Sequence, residues 1–223
     1  MPAAPSALPR RWYAQCAERL MHLWFLKAAG TAAFMGIFFY SYFAVLRSPL
    51  VPVTVMPITP IDEWMAFWPP AFYLYASLWA YTALVPALQP TLLRLVAYGG
   101  GIGALCVSGL LIFAFFPTTV PYVFSDWFTD PSLTLLRRLD TPGNAWPSLH
   151  VATAIFTAMC LHRLLRGLGS PRWLKAANWV WCILIIYSTM AIKQHVLWDV
   201  LAGIALGLLF GGLYLKFEKR LAD

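Results

Sequence analysis

Six runs of mainly apolar residues, each bounded by charges or prolines, dominate the layout of this chain, at about 23–46, 65–87, 95–116, 148–165, 174–192 and 196–217. A helix needs roughly 20 such residues to cross a hydrocarbon core about 30 Å thick, so each run is long enough, or nearly so, to span a membrane. Proline punctuates them: Pro57 and Pro60 precede the second run, Pro86 and Pro90 close it, Pro117 and Pro121 follow the third, and Pro171 precedes the fifth. Only 11% of the 223 residues are charged and 61% are hydrophobic. An ordinary soluble domain has about 25% and 45–50%, so a soluble fold could not bury this much apolar surface. The expectation is an all-α polytopic membrane protein of six transmembrane helices: a segment 1–22, a membrane domain 23–217 and a short tail 218–223. The four cysteines are scattered without C-x-x-C pairing and read as small core residues.

A net charge of +7 would suggest nucleic acid in a soluble protein. In a chain of this composition it records orientation, because Lys and Arg collect in cytoplasmic loops. With the N-terminus inside, twelve of the sixteen basic residues fall on the cytoplasmic side and only Arg47, Arg137, Arg138 and Lys193 fall outside. Both termini are therefore expected in the cytoplasm, with the first run acting as an uncleaved signal anchor. The longest connection, 117–147, then lies outside. Its Tyr122, Phe124, Trp127 and Phe128 alternate with Asp126 and Asp130, a composition suited to the headgroup region.

Ionisable residues at the end of a spanning helix are costly unless they are paired or face water. Two groups stand out, both on the outer side. In Asn144-Ala145-Trp146-Pro147-Ser148-Leu149-His150, Pro147 suits a first helical position. The backbone N–H groups that follow, from Leu149 onward, then join the Ser148 hydroxyl in an anion site favoured by the helix dipole. His150 stands beside it. Asn144 reads equally as a cap, a turn residue or a phosphate ligand. In Lys193-Gln194-His195-Val196-Leu197-Trp198-Asp199, His195 and Asp199 are four apart and share a helix face. The carboxylate can then fix one imidazole nitrogen and leave the other free to attack, with Lys193 adding positive charge. If the fourth and sixth helices pack together, these groups converge at one depth, at the outer ends of the last three helices. A phosphate ester is the natural substrate.

Pro147-Ser148-Leu149-His150 resembles the second motif of the type 2 phosphatidic acid phosphatase superfamily, commonly Pro-Ser-Gly-His. His195-x-x-x-Asp199 resembles the end of that family's third motif, one helical hairpin further on. The resemblance implies that His195 is a nucleophile forming a phosphohistidine, that Asp199 orients it, and that His150 protonates the leaving alcohol. Ser148, the neighbouring amides and Lys193 would hold the non-bridging oxygens, with no metal and no cofactor. The family's first motif, a Lys followed by Arg-Pro, is absent, and Ser188-Thr189 stands where the third motif has Ser-Arg. Lys193, Arg137 and Arg138 are the candidate replacements, in a pattern similar to the divergent branch that includes inositol phosphorylceramide synthases. The implied activity is hydrolysis of a lipid phosphate or pyrophosphate at the outer leaflet, with transfer to an alcohol acceptor close behind, in a bacterial inner membrane. The implied partners are a lipid phosphate and membrane lipids, without nucleic acid. A proton-relaying transporter fits less well, since the polar residues sit in the last three runs and no inverted repeat is visible. The glycines at 99–103 and at 203, 207 and 211 read as helix-packing contacts rather than a phosphate loop.

Overall fold

The computed structural model describes residues 11–121 and 144–221, so Arg137, Arg138 and the aromatics of the long connection lie outside the described residues. The described residues are mostly helical. A short amphipathic helix α1 (Trp12–Met21) precedes α2 (Trp24–Arg47). Next come three short helices, α3 (Pro60–Trp64), α4 (Ala71–Ala76) and α5 (Leu78–Ala87), and then the long α6 (Leu92–Phe115). The last three are α7 (Leu149–Gly167), α8 (Arg172–Ala191) and α9 (Leu197–Arg220).

Four of these helices, α2, α6, α8 and α9, are long and apolar enough to cross a membrane. At about 1.5 Å per residue the 24-residue α2 is roughly 36 Å long, enough for the hydrocarbon core. Its outward residues, including Ile37, Tyr40 and Phe25, are exposed, as a lipid-facing helix requires. The other two expected spans differ from the simple pattern for separate reasons. The second is not one helix. Pro69 and Pro70 delay its start, and the Ser77 hydroxyl donates back to the Leu74 carbonyl at 2.6 Å, a contact that bends helices, so α4 and α5 are distinct. The fourth run, α7, has the length at 19 residues but carries His150, His162, Arg163 and Arg166. It is the central helix: fourteen of its residues, His150 among them, are buried, and α5, α6, α8 and α9 pack around it. Arg163 and Arg166 are exposed near its C-terminal end, where long basic side chains reach water or headgroups.

Close approach of α9 to α7 is made by glycine. A Cβ on Gly203 would lie 2.5 Å from the Ser148 carbonyl oxygen, and one on Gly207 would lie 2.6 Å from that of Ala152. Gly211 meets Met159 in the same way. These glycines are therefore packing positions, as their spacing implied. On α6, Gly101 likewise sits against Tyr214 and Phe156, whereas Gly99 and Gly100 face open space.

Polar ties supplement this packing. Asn178 of α8 is buried; its side-chain nitrogen donates to the Ala158 carbonyl of α7 at 3.0 Å, and its oxygen accepts from the Tyr81 hydroxyl of α5 at 2.7 Å. Replacing it with Leu removes both side-chain bonds and leaves the Tyr81 hydroxyl only its longer, 3.3 Å contact to the backbone carbonyl of residue 178. Asn178→Leu should cost about 1–2 kcal/mol, read as an earlier transition in a detergent-unfolding titration, with activity per folded molecule unchanged.

At the end of the bundle away from the chain termini, a two-residue parallel ladder pairs β1 (Thr54–Val55) with β2 (Thr118–Thr119). Thr118 also bridges to Asn144; its carbonyl accepts from Ala145 N at 3.0 Å and its hydroxyl from Trp146 N at 2.7 Å. Segments following α2 and α6 thus fix the approach of the chain to α7, where the first of the two polar motifs begins.

Candidate active site

Ser148, not Pro147, opens α7. Ser148 is the N-cap with extended backbone, and its hydroxyl accepts from Val151 N at 3.2 Å, so Pro147 lies two residues before the first helical position, Leu149, instead of occupying it. The reason is local: a serine side chain satisfies an orphan amide better than any other group available here. The hydroxyl is therefore a cap, and the residue is fully buried. The amides of Leu149 and His150 make no hydrogen bond among the described residues. The Leu149 side chain is buried against Gly109 of α6, leaving its backbone as the part that can meet a ligand.

His195 and Asp199 flank the start of α9. Asp199 is the third residue of that helix and reaches back to accept from Val196 N, its Oδ2 lying 3.0 Å away. The same oxygen is 3.5 Å from His195 Nδ1, an ion-pair distance longer than an ordinary hydrogen bond. Asp199 is fully buried and His195 nearly so, and neither Asp199 Oδ1 nor His195 Nδ1 has a hydrogen-bond partner among the described residues. A small rotation of the imidazole would complete the bond, and such contacts commonly tighten only when substrate binds.

The two motifs meet directly. Ser148 N donates to the Asp199 carbonyl at 3.0 Å, tying the first residue of the α7 motif to the last residue of the α9 motif just beside the Gly203 contact. His150 is held by a third element, α4: its ring stacks on Tyr75 with centroids 3.8 Å apart and planes 8° from parallel. Its Nε2 lies 3.0 Å from the Tyr75 carbonyl. A carbonyl can only accept, so Nε2 carries the proton and Nδ1 is the nitrogen left for exchange. Trp79 closes the side of the ring edge-on.

Lys193 is placed differently from the expectation of a phosphate ligand. Its ammonium donates to the Asp62 carbonyl at 2.9 Å and to that of Met65, both in or beside α3. Burial pulls its pKa below the usual lysine range, and the charge of Asp62 pushes it back up. Asn144 is buried and donates to the Tyr42 carbonyl at 3.3 Å, with its side-chain oxygen unpartnered among the described residues. Ser188 and Thr189 bond their own helix; the Thr189 carbonyl accepts from both Gln194 N and His195 N, shaping the turn that carries His195.

The residue that the motifs do not reveal is Asp62. It is buried, and one carboxylate oxygen accepts from Thr59 N and the Thr59 hydroxyl at 2.8 and 2.7 Å. The other accepts from Leu197 N, the first amide of α9, at 2.8 Å. With Lys193 bonding back to the same segment, and Trp68 N donating to the Ala191 carbonyl at 2.9 Å, the stretch 59–68 is stapled to the turn that holds His195. The sequence did carry a signal: Thr59-Pro60-Ile61-Asp62 has the spacing of a capping box with proline at the first helical position, and that box forms. Among the described residues no group of three or more His, Cys, Asp or Glu is placed to hold a metal ion.

A bundle of apolar helices around a buried central helix, with two histidine-bearing motifs and a buried carboxylate at one end, defines an integral membrane protein with a candidate site for phosphoryl chemistry. The chain belongs to the PAP2 superfamily, whose family model matches residues 27–222. Members of that superfamily are phosphatases or phosphotransferases, so the protein is an enzyme of that broad type. Neither the curated proteins nor the solved structures gave a match.

Proposed function

We propose that the protein is a lipid phosphatase that removes a phosphate or pyrophosphate monoester at the outer leaflet by way of a phosphohistidine. The observation that carries this reading is the hydrogen bond from Ser148 N to the Asp199 carbonyl, which sets the amides of Leu149 and His150 beside the His195–Asp199 pair. In the first half-reaction the free nitrogen of His195 attacks phosphorus and the phosphorus–oxygen ester bond breaks, with the imidazolium form of His150 giving its Nδ1 proton to the leaving alcohol. Asp199 stabilises the charge that appears on the His195 ring. In the second, water attacks the phosphohistidine, His150 takes the proton, the nitrogen–phosphorus bond breaks and phosphate leaves. The amides at the start of α7 hold the non-bridging oxygens at the positive end of the helix dipole. Arg137 and Arg138, outside the described residues, remain the candidates for further phosphate contacts, and Asn144 for a polar one near the mouth.

In this reading α4 and α5 act together as one crossing and α7 as another, giving six, with both termini in the cytoplasm, the site outside, and a bacterial inner membrane as the setting. The separation of Arg19, Arg94, Arg163 and Arg166 to the end opposite His150 supports that orientation. The test is turnover of purified protein on phosphatidic acid, phosphatidylglycerophosphate, undecaprenyl pyrophosphate and sphingolipid phosphate. Inhibition by vanadate and indifference to EDTA are expected; activity abolished by EDTA refutes the scheme. Release of free phosphate marks hydrolysis, and a product that forms only with an added alcohol marks the transferase instead.

In this scheme Asp62 and Lys193 are positioning residues. Asp62→Asn weakens the grip on Leu197 N and lets the α9 start shift; displacements of about 1 Å cost on the order of 100-fold in rate. The expected result is a 10- to 100-fold loss of kcat with KM little changed, against no effect for the exposed neighbour Glu63→Gln. A loss confined to KM would place Asp62 in substrate binding instead.

A further inference from the structure

The end of the bundle opposite the two histidines holds a second concentration of charge that the phosphatase scheme does not use. A cavity of about 310 Å³ is lined there by Arg19, Arg94, Arg163, Arg166 and Glu218. The side chains come from four elements: Arg19 from α1, Arg94 from α6, Arg163 and Arg166 from α7, and Glu218 from α9. Four guanidinium groups therefore face one carboxylate. Glu218 is almost fully buried and lies 3.4 Å from Arg94 and 3.6 Å from Arg163. Its Oε2 has no hydrogen bond among the described residues, so even this carboxylate is held loosely.

The arrangement is assembled, not incidental to a basic surface. Helix α1 has no buried residue of its own, yet it is fastened to the bundle by Lys27, whose ammonium donates to the Arg19 carbonyl at 2.5 Å and to the Ala87 carbonyl at 2.9 Å. That lysine is itself buried in an otherwise apolar helix, and its bonds set Arg19 over the cavity. Burial opposes the charge on Arg19 most, Arg94 opposes it as well, and Cys16 and Glu18 on its own helix favour it. Bringing like charges together in this way costs free energy that one carboxylate does not offset, and an anion with several acceptor oxygens would offset it. Guanidinium groups match phosphate oxygens in a two-pronged geometry, and basic pockets between membrane helices near the headgroup level suit lipid phosphates.

We propose that this cavity is a binding site for a phosphate-bearing anion, distinct from the catalytic site, that pins α1 to the helical bundle. The phosphate can belong to an anionic lipid headgroup or be free in solution, and the experiment separates these sources. Purified full-length protein is delipidated and followed by native mass spectrometry and thermal unfolding, with inorganic phosphate in one arm and phosphatidylglycerol vesicles in the other. Phosphatidylglycerol is a diester and so is not a substrate of a monoesterase. Arg19→Gln/Arg166→Gln removes two arginines that the described carboxylate does not pair; Arg11→Gln/Arg172→Gln removes two exposed ones outside the cavity.

The expected result is at least a 10-fold loss of affinity in the first variant and less than a twofold change in the second. Loss seen only with phosphatidylglycerol identifies a lipid headgroup, and loss seen with inorganic phosphate identifies a soluble anion. Glu218→Gln provides the opposite sign: with the competing carboxylate gone, binding should tighten and added anion should raise its unfolding temperature more than that of the wild type. Equal loss in both arginine pairs, no binding in either arm, or Glu218→Gln binding no more tightly than wild type overturns the proposal.

Discussion

His195→Ala should abolish turnover, by about four orders of magnitude or more, while leaving the protein folded. The size of the loss follows from the role: removing the group that forms the covalent intermediate removes a whole reaction channel, and residues acting as a unit with it cannot substitute. The structure also argues that folding survives. His195 lies in the turn between α8 and α9, and its ring nitrogen Nδ1 makes no hydrogen bond among the described residues, so truncation breaks no described side-chain tie except the 3.5 Å approach to Asp199. The turn itself is held by backbone bonds from Gln194 and His195 to the Thr189 carbonyl, and these persist in the variant. Turnover of each candidate lipid, normalised to monodisperse protein, is the measurement. Activity within 10-fold of wild type would exclude His195 as nucleophile.

Asp199→Asn should cost about 10³- to 10⁴-fold in kcat with little change in KM. A carboxylate behind a catalytic histidine stabilises the imidazolium, and its amide replacement costs that order in a comparable triad. Asp199 uses one oxygen, Oδ2, both to accept from Val196 N and to face His195 Nδ1, so an asparagine carbonyl placed there keeps the helix start and what is lost is the negative charge. Asp199→Ala, by contrast, loses both functions and should destabilise the protein as well, by about 1 kcal/mol for the lost cap. An Asp199→Asn variant that is fully active, with the Ala variant merely less stable, would make Asp199 a helix cap and nothing more.

The sequence revealed the candidate pair through spacing. His195 and Asp199 at four residues, and Ser148 and His150 beside a proline, are patterns whose geometry follows from the helix itself, and the glycines at 203, 207 and 211 supplied the packing that brings α9 onto α7. Less legible was what depends on tertiary context. Hydropathy marked α7 as one of six spans, but not that it is the central helix, with fourteen residues buried by its neighbours. Composition likewise gave Lys193 a charge but not a direction; its ammonium turns to the carbonyls of Asp62 and Met65 because the segment 59–68 folds back over the turn. Asp62 went unrecognised for a related reason. Its capping box is local and readable, but the bond to Leu197 spans 135 residues and is set only by the fold. Tyr75, whose ring and carbonyl fix the orientation of His150, has no motif at all.

Those contacts also sharpen the proposed chemistry. With Nε2–H of His150 committed to the Tyr75 carbonyl, the proton delivered to the leaving alcohol is exchanged through Nδ1, and the stacked Tyr75 ring keeps the imidazole from turning away. The segment 59–68 and α4 thus serve the two histidines separately: one fastens the turn of His195, the other orients His150. This division gives the otherwise irregular stretch between α2 and α5 a defined purpose, and it explains why that part of the second apolar run is not a single straight helix.

The most direct test of the central claim, a covalent phosphohistidine between two displacements at phosphorus, is the stereochemical course of hydrolysis. A lipid phosphomonoester made chiral with oxygen isotopes is turned over in isotopically labelled water, and the configuration of the released phosphate is read by phosphorus NMR. Two in-line displacements, by His195 and then by water, predict net retention. Net inversion would mean that water attacks the substrate directly and would contradict the account.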